Sequence, residues 1–196
     1  MFLKQLRTAS ITILIMSIVT GILYPVIITG LAQLLFPHKA NGNFIVHQGK
    51  IIGSELIGQQ FQSPKYFWSR LSATALFAYN AGASSGSNYG PLSPALQSMV
   101  SERIHNLKEL DTLNDQPIPV DLVTASASGL DPHISIAAAQ YQAERVALTR
   151  GMKGQQIQSL IARCTEGRTL GVLGEPRVNV LRLNYALDEL QHQSIR

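Results

Sequence analysis

Serines are concentrated in two stretches of this chain, the second of which also contains an aspartate and a histidine, and these residue types could support nucleophilic catalysis. Residues 82–86 read Gly-Ala-Ser-Ser-Gly and match the G-x-S-x-G pattern of a nucleophile elbow around Ser84. An elbow requires a buried strand before the serine and a helix directly after it. Residues 87–91 read Ser-Asn-Tyr-Gly-Pro, which cannot start a helix, so we predict a loop in which these polar groups form turns.

The second stretch contains Ser126, Ser128, Asp131 and His133. Asp131 and His133 are only two residues apart, so their relative orientation depends on loop conformation and not on a rigid scaffold. Capping and turn formation therefore account for these residues better than a catalytic triad does. We predict no catalytic residue, and we keep two alternatives: a membrane-anchored extracytoplasmic hydrolase using Ser84 or Ser128, and a domain that binds a small polar molecule.

Other kinds of site lack their characteristic patterns. The histidines outside the second stretch are isolated, without metal-ligand spacing, and neither G-x-x-x-x-G-K-[ST] nor G-x-G-x-x-G occurs. Without Lys4 and Arg7 the chain has 14 basic and 12 acidic residues. This small excess of positive charge does not indicate a nucleic-acid-binding surface. We therefore predict no metal and no nucleic-acid partner.

The longest apolar segment of the chain lies near its N-terminus. No charged residue occurs between Arg7 and Lys39, and a helix over residues 11–36 would be about 39 Å long, more than the ~30 Å core of a bilayer. A cleaved signal peptide would have a shorter apolar run followed by an Ala-x-Ala cleavage site, and no such site follows this run. We predict an N-terminal cytoplasmic tail (1–10), a transmembrane helix (11–36) and one extracytoplasmic domain (37–196).

The orientation follows from the flanking positive charges. Lys4, Arg7 and the terminal amine precede the apolar segment, whereas Lys39 and Lys50 follow it. This excess favours an N-terminus in the cytoplasm and a domain outside, in the cell inner membrane.

Small residues and a proline interrupt the apolar segment. Gly21, Pro25 and Gly30 could kink the helix or let a neighbouring helix approach closely. We predict these three residues as helix-packing positions.

The remaining sequence alternates short strand and helix patterns, which predicts an α+β domain. Turn, cap and periodicity signals predict a hairpin (44–46 and 50–52), helices (94–107, 136–150, 155–165 and 185–190) and strands (120–123 and 178–181).

Several segments, taken together and in order, resemble one family, the KdpC subunits of the Kdp potassium-transporting P-type ATPase. They span nearly the whole chain after the N-terminal tail. The matching segments are Thr20-Gly21, Tyr24-Pro25, Phe36-Pro37, residues 40–42 and 53–59, Tyr66-Phe67, Arg70, residues 72–74, Tyr79-Asn80, residues 83–84, 86–88 and 120–131, Pro176, residues 178–180, and Leu183-Asn184.

The resemblance implies a non-catalytic accessory subunit that assembles and stabilises an ATP-driven, high-affinity potassium uptake pump. It implies three partners, the channel-like subunit KdpA, the P-type ATPase subunit KdpB and the small membrane subunit KdpF, besides membrane lipid. It implies no cofactor in this chain, with ATP and potassium used by the complex. We expect the partner or structural contacts in the two polar loops, at Asn80, Ser84, Ser87, Asn88, Ser126, Ser128 and Asp131.

The family resemblance also implies nucleotide binding that raises the affinity of the pump for ATP. Gln155 and Gln156 are the nearest positions for such a role, although residues 151–154 (Gly-Met-Lys-Gly) form no phosphate cradle. An extracytoplasmic domain also faces away from cytoplasmic ATP, and we give the topology more weight.

Overall fold

The computed structural model of this chain describes residues 1–194 and divides into two compact units, Met1–Ile52 and Gly53–Arg196. The first unit contains a long apolar helix, a short helix and all but the last two residues of a hairpin, and the second contains the later helices and a three-stranded sheet. A single apolar helix followed by mixed helices and strands confirms the predicted α+β class.

The apolar helix extends from Phe2 to Leu35 and is long and apolar enough to cross a membrane. It comprises α1 (Phe2–Ile18), a π-helical segment (Val19–Leu23) and α2 (Tyr24–Leu35). No other helix in residues 1–194 meets the same criteria of length and composition.

Pro25 explains the π-helical segment. Proline has no N–H, and its ring collides with the carbonyl group four residues earlier, which here belongs to Gly21. One extra residue in the turn relieves this collision, and the N–H of Tyr24 donates to the carbonyl oxygen of Val19, five residues earlier. The sequence predicted that Gly21 and Pro25 could kink the apolar helix. In the structure this region instead changes from α-helix to π-helix.

A short helix, α3 (Pro37–Ala40), and a hairpin follow the apolar helix. The strands β1 (Phe44–His47) and β2 (Lys50–Ser54) pair in a two-stranded sheet, which confirms the predicted hairpin. The two residues between them, Gln48 and Gly49, have φ values of 48° and 77°, as a type I′ turn requires.

A small antiparallel sheet lies in the second unit. The central strand β5 (Arg177–Asn179) pairs with β3 (His133–Ser135) on one side and with β4 (Thr165–Glu166) on the other. Ile134 is paired with Val178, and both are buried, so this pair anchors the sheet in the core.

Four longer helices enclose the core of the second unit: α4 (Pro94–Leu110), α6 (Ile136–Arg150), α7 (Gly154–Cys164) and α8 (Val180–Ser194). Successive helices α6, α7 and α8 pack against each other, and α7 and α8 also contact β5. The most completely buried apolar side chains are Phe67, Leu107, Leu122, Ile134, Val146, Ile157, Leu160, Val178, Val180, Leu183 and Leu187.

The boundaries of α6 follow the expected sequence signals. The hydroxyl of Ser135 accepts a hydrogen bond from the N–H of Ala138 at 3.0 Å, which caps the start of the helix. Gly151 ends it with a left-handed φ of 64°.

Two of the predicted strands were wrong, wholly or in part. Residues 120–123 form one helical turn, α5 (Val120–Val123), which buries both Leu122 and Val123, whereas a strand would direct neighbouring side chains to opposite faces. The predicted strand 178–181 ends at Asn179, because the side-chain oxygen of Asn179 accepts from the N–H of Arg182 and caps α8. Helix α8 therefore begins at Val180, before the predicted residue 185.

Residues 66–70 cross the core without regular secondary structure, and side-chain amides provide their hydrogen bonds. Asn184 accepts from the N–H of Phe67 and donates to its carbonyl oxygen, both at 2.9 Å. Gln142 does the same for Trp68, at 2.8 and 3.2 Å. Both amides are buried, so this segment is fixed to α6 and α8.

Candidate partner-contact surface

The two polar stretches lie against each other in the second unit; we call residues 72–92 loop A and residues 124–133 loop B. The hydroxyl of Ser84 and the N–H of Ser85 both donate to the carbonyl oxygen of Ser128, each at 3.0 Å. These bonds join residues more than forty positions apart, so the loops form one structural unit.

Two glycines permit the close approach of the loops. A Cβ on Gly86 would lie 2.7 Å from the carbonyl oxygen of Ala127, and one on Gly129 would lie 2.5 Å from that of Ser85. Gly129 also has a φ of +68°, in the left-handed region that favours glycine.

Loop A contains three residues other than glycine in the left-handed region: Leu76 (φ 71°), Tyr79 (φ 60°) and Asn88 (φ 52°). Asparagine tolerates this conformation, whereas leucine and tyrosine rarely adopt it. Such strain persists only where surrounding contacts impose it, and it is concentrated at functional sites.

Hydrogen bonds impose the conformation around Leu76. The hydroxyl of Thr74 donates to the carbonyl oxygen of Phe77 at 2.7 Å, and the side-chain amide of Asn80 donates to that of Ala75 at 3.1 Å. The turn is therefore closed on both sides before any partner binds, which reduces the entropy lost on association.

The turn presents large apolar side chains to solvent. Leu76 is 95% exposed, Phe77 is 63% exposed, and Leu92 at the end of loop A is 88% exposed. Apolar groups clustered on a surface mark interaction sites, and single exposed ones do not. We define Leu76 and Phe77 as the apolar tip of loop A.

Asp131 anchors loop B through charged and polar neighbours. Its carboxylate accepts from Arg70 Nη1 at 3.1 Å and from the N–H of His133 at 3.0 Å, and His133 Nδ1 lies 3.3 Å from it. Burial alone would raise the pKa of Asp131, but the hydrogen bonds from His133 and the charge of Arg70 together outweigh it and hold that pKa below its usual value.

The structure does not bring the candidate nucleophiles to a base. The Ser84 hydroxyl donates to a backbone carbonyl, and the Ser128 hydroxyl accepts from the N–H of Leu130 at 3.1 Å. The imidazole of His133 lies between the carboxylates of Asp131 and Glu166. No strand precedes Ser84 in loop A as described, so the elbow geometry is not formed.

The other predicted loop residues occupy varied positions. Asn80 accepts from the N–H of Gly82 at 3.0 Å, which is an Asx turn, and Ser126 is buried. Ser87 is half-buried and Asn88 is exposed. Of these four, only Asn88 combines exposure with a left-handed backbone.

Gln155 and Gln156 lie exposed in the first turn of α7. The side-chain oxygen of Gln156 accepts from the N–H of Lys153 at 3.0 Å, so this residue stabilises the start of the helix. Among residues 1–194, no group of three or more histidine, cysteine, aspartate or glutamate side chains is arranged to hold a metal ion.

The predicted helix-packing glycines leave open space around the apolar helix. A Cβ on Gly21 or Gly30 would meet no atom of this chain within 4 Å. Gly21 and Gly30 are nine residues apart, which is about two and a half turns of a regular α-helix, so the two glycines lie on different faces of the helix.

Sequence reasoning missed three polar side chains that organise residues 66–70. The guanidinium carbons of Arg103 and Arg145 lie 4.6 and 5.5 Å from the ring centre of Trp68, and the fully buried Gln142 binds its backbone. A signal for Arg103 was present, since it follows Leu96 by seven residues and precedes Leu107 by four, on the apolar face of α4.

A helix long and apolar enough to cross a membrane is thus followed by a mixed domain whose loop A has an exposed apolar tip. The family model of the potassium-transporting ATPase c chain, KdpC, matches residues 6–189. The chain therefore belongs to the KdpC family.

Individual relatives agree over nearly the whole chain. The potassium-transporting ATPase KdpC subunit of Herpetosiphon aurantiacus is 60% identical over 185 residues, which cover 94% of this chain and 96% of the relative. That of Methylococcus capsulatus is 56% identical over 189 residues, 96% of this chain and 100% of the relative. The KdpC subunit of Burkholderia cenocepacia is 54% identical over 186 residues, 95% and 96% of the two chains. The chain is thus a non-catalytic subunit of a potassium-transporting ATPase.

Proposed function

We propose that this chain completes and stabilises a potassium uptake pump, with loops A and B as its main contact with another subunit. The observation that carries the proposal is the apolar tip of loop A, which is exposed although its backbone is strained and closed by hydrogen bonds. A pre-formed apolar projection has no role in the fold of its own domain, whereas it suits an interface.

Family membership supports the choice of partners. We propose that the chain assembles with the channel-like subunit KdpA, the P-type subunit KdpB and the small subunit KdpF. ATP hydrolysis and potassium transport belong to those partners, and this chain supplies no cofactor. In this proposal the apolar helix contributes separate contacts at Gly21 and Gly30, where space for a neighbouring helix is open.

We further propose that the N-terminus lies in the cytoplasm and the second unit outside the inner membrane. The support is the excess of positive charge before the apolar helix. A nucleotide role for Gln155 and Gln156 stays a separate proposal, and the helix-capping bond of Gln156 gives that residue a structural reason of its own.

The experiment that tests the interface is co-purification of the complex with Leu76→Ser and Phe77→Ser variants. We expect each variant to recover less of the partner subunits, because the interface loses apolar area, while the variant itself is expressed and inserted normally. Leu113→Ser is the matched control, since Leu113 is 86% exposed but lies outside loops A and B. Equal recovery in all three variants would contradict the proposed interface.

A further inference from the structure

A cavity of about 420 Å³ lies beside the core of the second unit, and Ala78, which follows the apolar tip of loop A, is among its lining residues. One wall is the face of α4 that carries Met99, Glu102, Arg103 and Asn106. The opposite wall comes from residues 60–62, residues 68–72 and Tyr79. Its volume is in the range of small-molecule sites.

Arg103 is a cation without a carboxylate partner at this cavity. Its Nε and Nη2 donate to the carbonyl oxygens of Leu122 and Ser69, both at 2.9 Å. No carboxylate of the described residues lies within 4.0 Å of its guanidinium, and burial lowers the pKa of Arg103 to about 10. A guanidinium has five N–H donors, so three of these remain for a ligand.

Arg70 also lines the cavity, but its charge is already paired with Asp131. Its Nη1 binds Asp131 and its Nη2 donates to Ala125, but its Nε is buried and has no hydrogen-bond partner. An unpaired buried donor costs free energy unless a ligand or water satisfies it. Since the Nε of Arg70 has no exposed surface, Arg103 is the arginine that offers open donors to a ligand, and a guanidinium suits carboxylate or phosphate groups.

The remaining walls suit the carbon skeleton of an organic anion. Phe61, Trp68 and Tyr79 contribute aromatic surface, and burial raises the pKa of Tyr79, which keeps its hydroxyl neutral. Glu102 is the one carboxylate among the lining residues and is exposed. The uncompensated charge of Arg103 disfavours potassium or any other cation in this cavity.

We propose that this cavity binds a small organic anion, whose carboxylate or phosphate group is held by Arg103. The guanidinium of Arg103 lies over the ring of Trp68, 4.6 Å from its centre, so a ligand bound to Arg103 would be close to this ring. The same chemistry is offered by a free metabolite-sized anion and by the phosphate of a lipid headgroup, and the experiment separates these two sources.

Trp68 makes the test direct, because it is the only tryptophan in the chain and it lines the cavity. The full-length protein in a non-ionic detergent is titrated with succinate, inorganic phosphate or glycerol 3-phosphate while tryptophan emission is recorded. A second series uses mixed micelles that contain phosphatidylglycerol or, as a neutral comparison, phosphatidylcholine. We expect a saturable change in emission with the soluble anions or selectively with phosphatidylglycerol.

Variants assign any change to the cavity. Arg103→Gln should weaken binding by about tenfold or more, because charge-assisted hydrogen bonds are lost. Glu102→Gln, which alters an exposed side chain, should tighten binding by roughly two- to fivefold. Glu109→Gln removes the same charge from the same helix but outside the cavity, and it should change affinity less than Glu102→Gln does.

A saturable response to soluble anions assigns the site to a free ligand, and a response to phosphatidylglycerol alone assigns it to a lipid headgroup. The proposal is overturned if neither source changes the emission at tens of millimolar, or if Glu102→Gln and Glu109→Gln have equal effects. Because both glutamates are exposed, this comparison holds even if Arg103→Gln fails to fold.

Discussion

At the scale of single residues, loops A and B are stabilised by specific contacts of polar side chains, whereas the sequence alone shows only that these side chains are polar. Asp131 illustrates this: it connects Arg70, from the segment before loop A, with the backbone and ring of His133 in loop B. Its charge is satisfied by partners distant in sequence, so its role is structural and electrostatic.

The lowered pKa of Asp131 predicts a pH dependence of stability. Because the folded state binds this proton less tightly than the unfolded state, the contribution of Asp131 is complete above a pH of about 4–5 and is lost as the pH falls further. Thermal unfolding between pH 7 and pH 3 should therefore show a smaller acid destabilisation for Asp131→Asn. The exposed Asp115→Asn variant is the control, and identical acid profiles for both would contradict the prediction.

Glycine at position 129 is expected to be irreplaceable for steric reasons. Gly129→Ala combines a left-handed φ with a Cβ that would collide with Ser85, so we expect a loss of about 1–3 kcal/mol in the free energy of unfolding. Gly82→Ala is the comparison, since its Cβ would meet only the side chain of Asn80 at 3.4 Å. Denaturant unfolding measures both, and an equal loss would show that the contact between loops is not the cause.

At the scale of elements, sequence signals located the helices better than the irregular segments. The cap at Ser135 and the stop at Gly151 are local interactions, and they define α6 as predicted. The turn at residues 120–123 depends on burial against the rest of the domain, so local pattern gave the wrong element type. The sequence correctly predicted that Ser84 and Ser128 lie in loops. The hydrogen bond from the Ser84 hydroxyl to the Ser128 carbonyl oxygen is a tertiary contact, which the spacing of residues along the chain cannot predict.

The apolar helix gives a prediction of its own. A Cβ at Gly21 or Gly30 would meet no atom of this chain within 4 Å, so a reduced recovery of partner subunits with Gly21→Leu or Gly30→Leu would indicate an intermolecular contact. We expect Gly21→Ala to have a smaller effect than Gly21→Leu, because the smaller side chain increases the distance between the two helices less. A detergent pull-down measures this series. Unchanged recovery for both leucine variants would refute the helix contacts without affecting the interface at loop A.

At the scale of the whole molecule, the account requires the second unit to face away from the cytoplasm. Protease added to intact spheroplasts should digest that unit and leave the apolar helix in the membrane, because an external domain is accessible without lysis. Disrupted spheroplasts provide the control for intrinsic cleavability. Full protection in intact spheroplasts, with digestion after lysis, would reverse the proposed orientation.

In our proposal this chain acts only as an accessory partner of the pump. The decisive measurement is potassium-stimulated ATPase activity in membranes that contain all other pump subunits but lack this chain. We expect the activity and the co-purification of the remaining subunits to be lost, to return when the wild-type chain is supplied, and to return only in part with Leu76→Ser. Full potassium-stimulated activity without this chain would contradict the account.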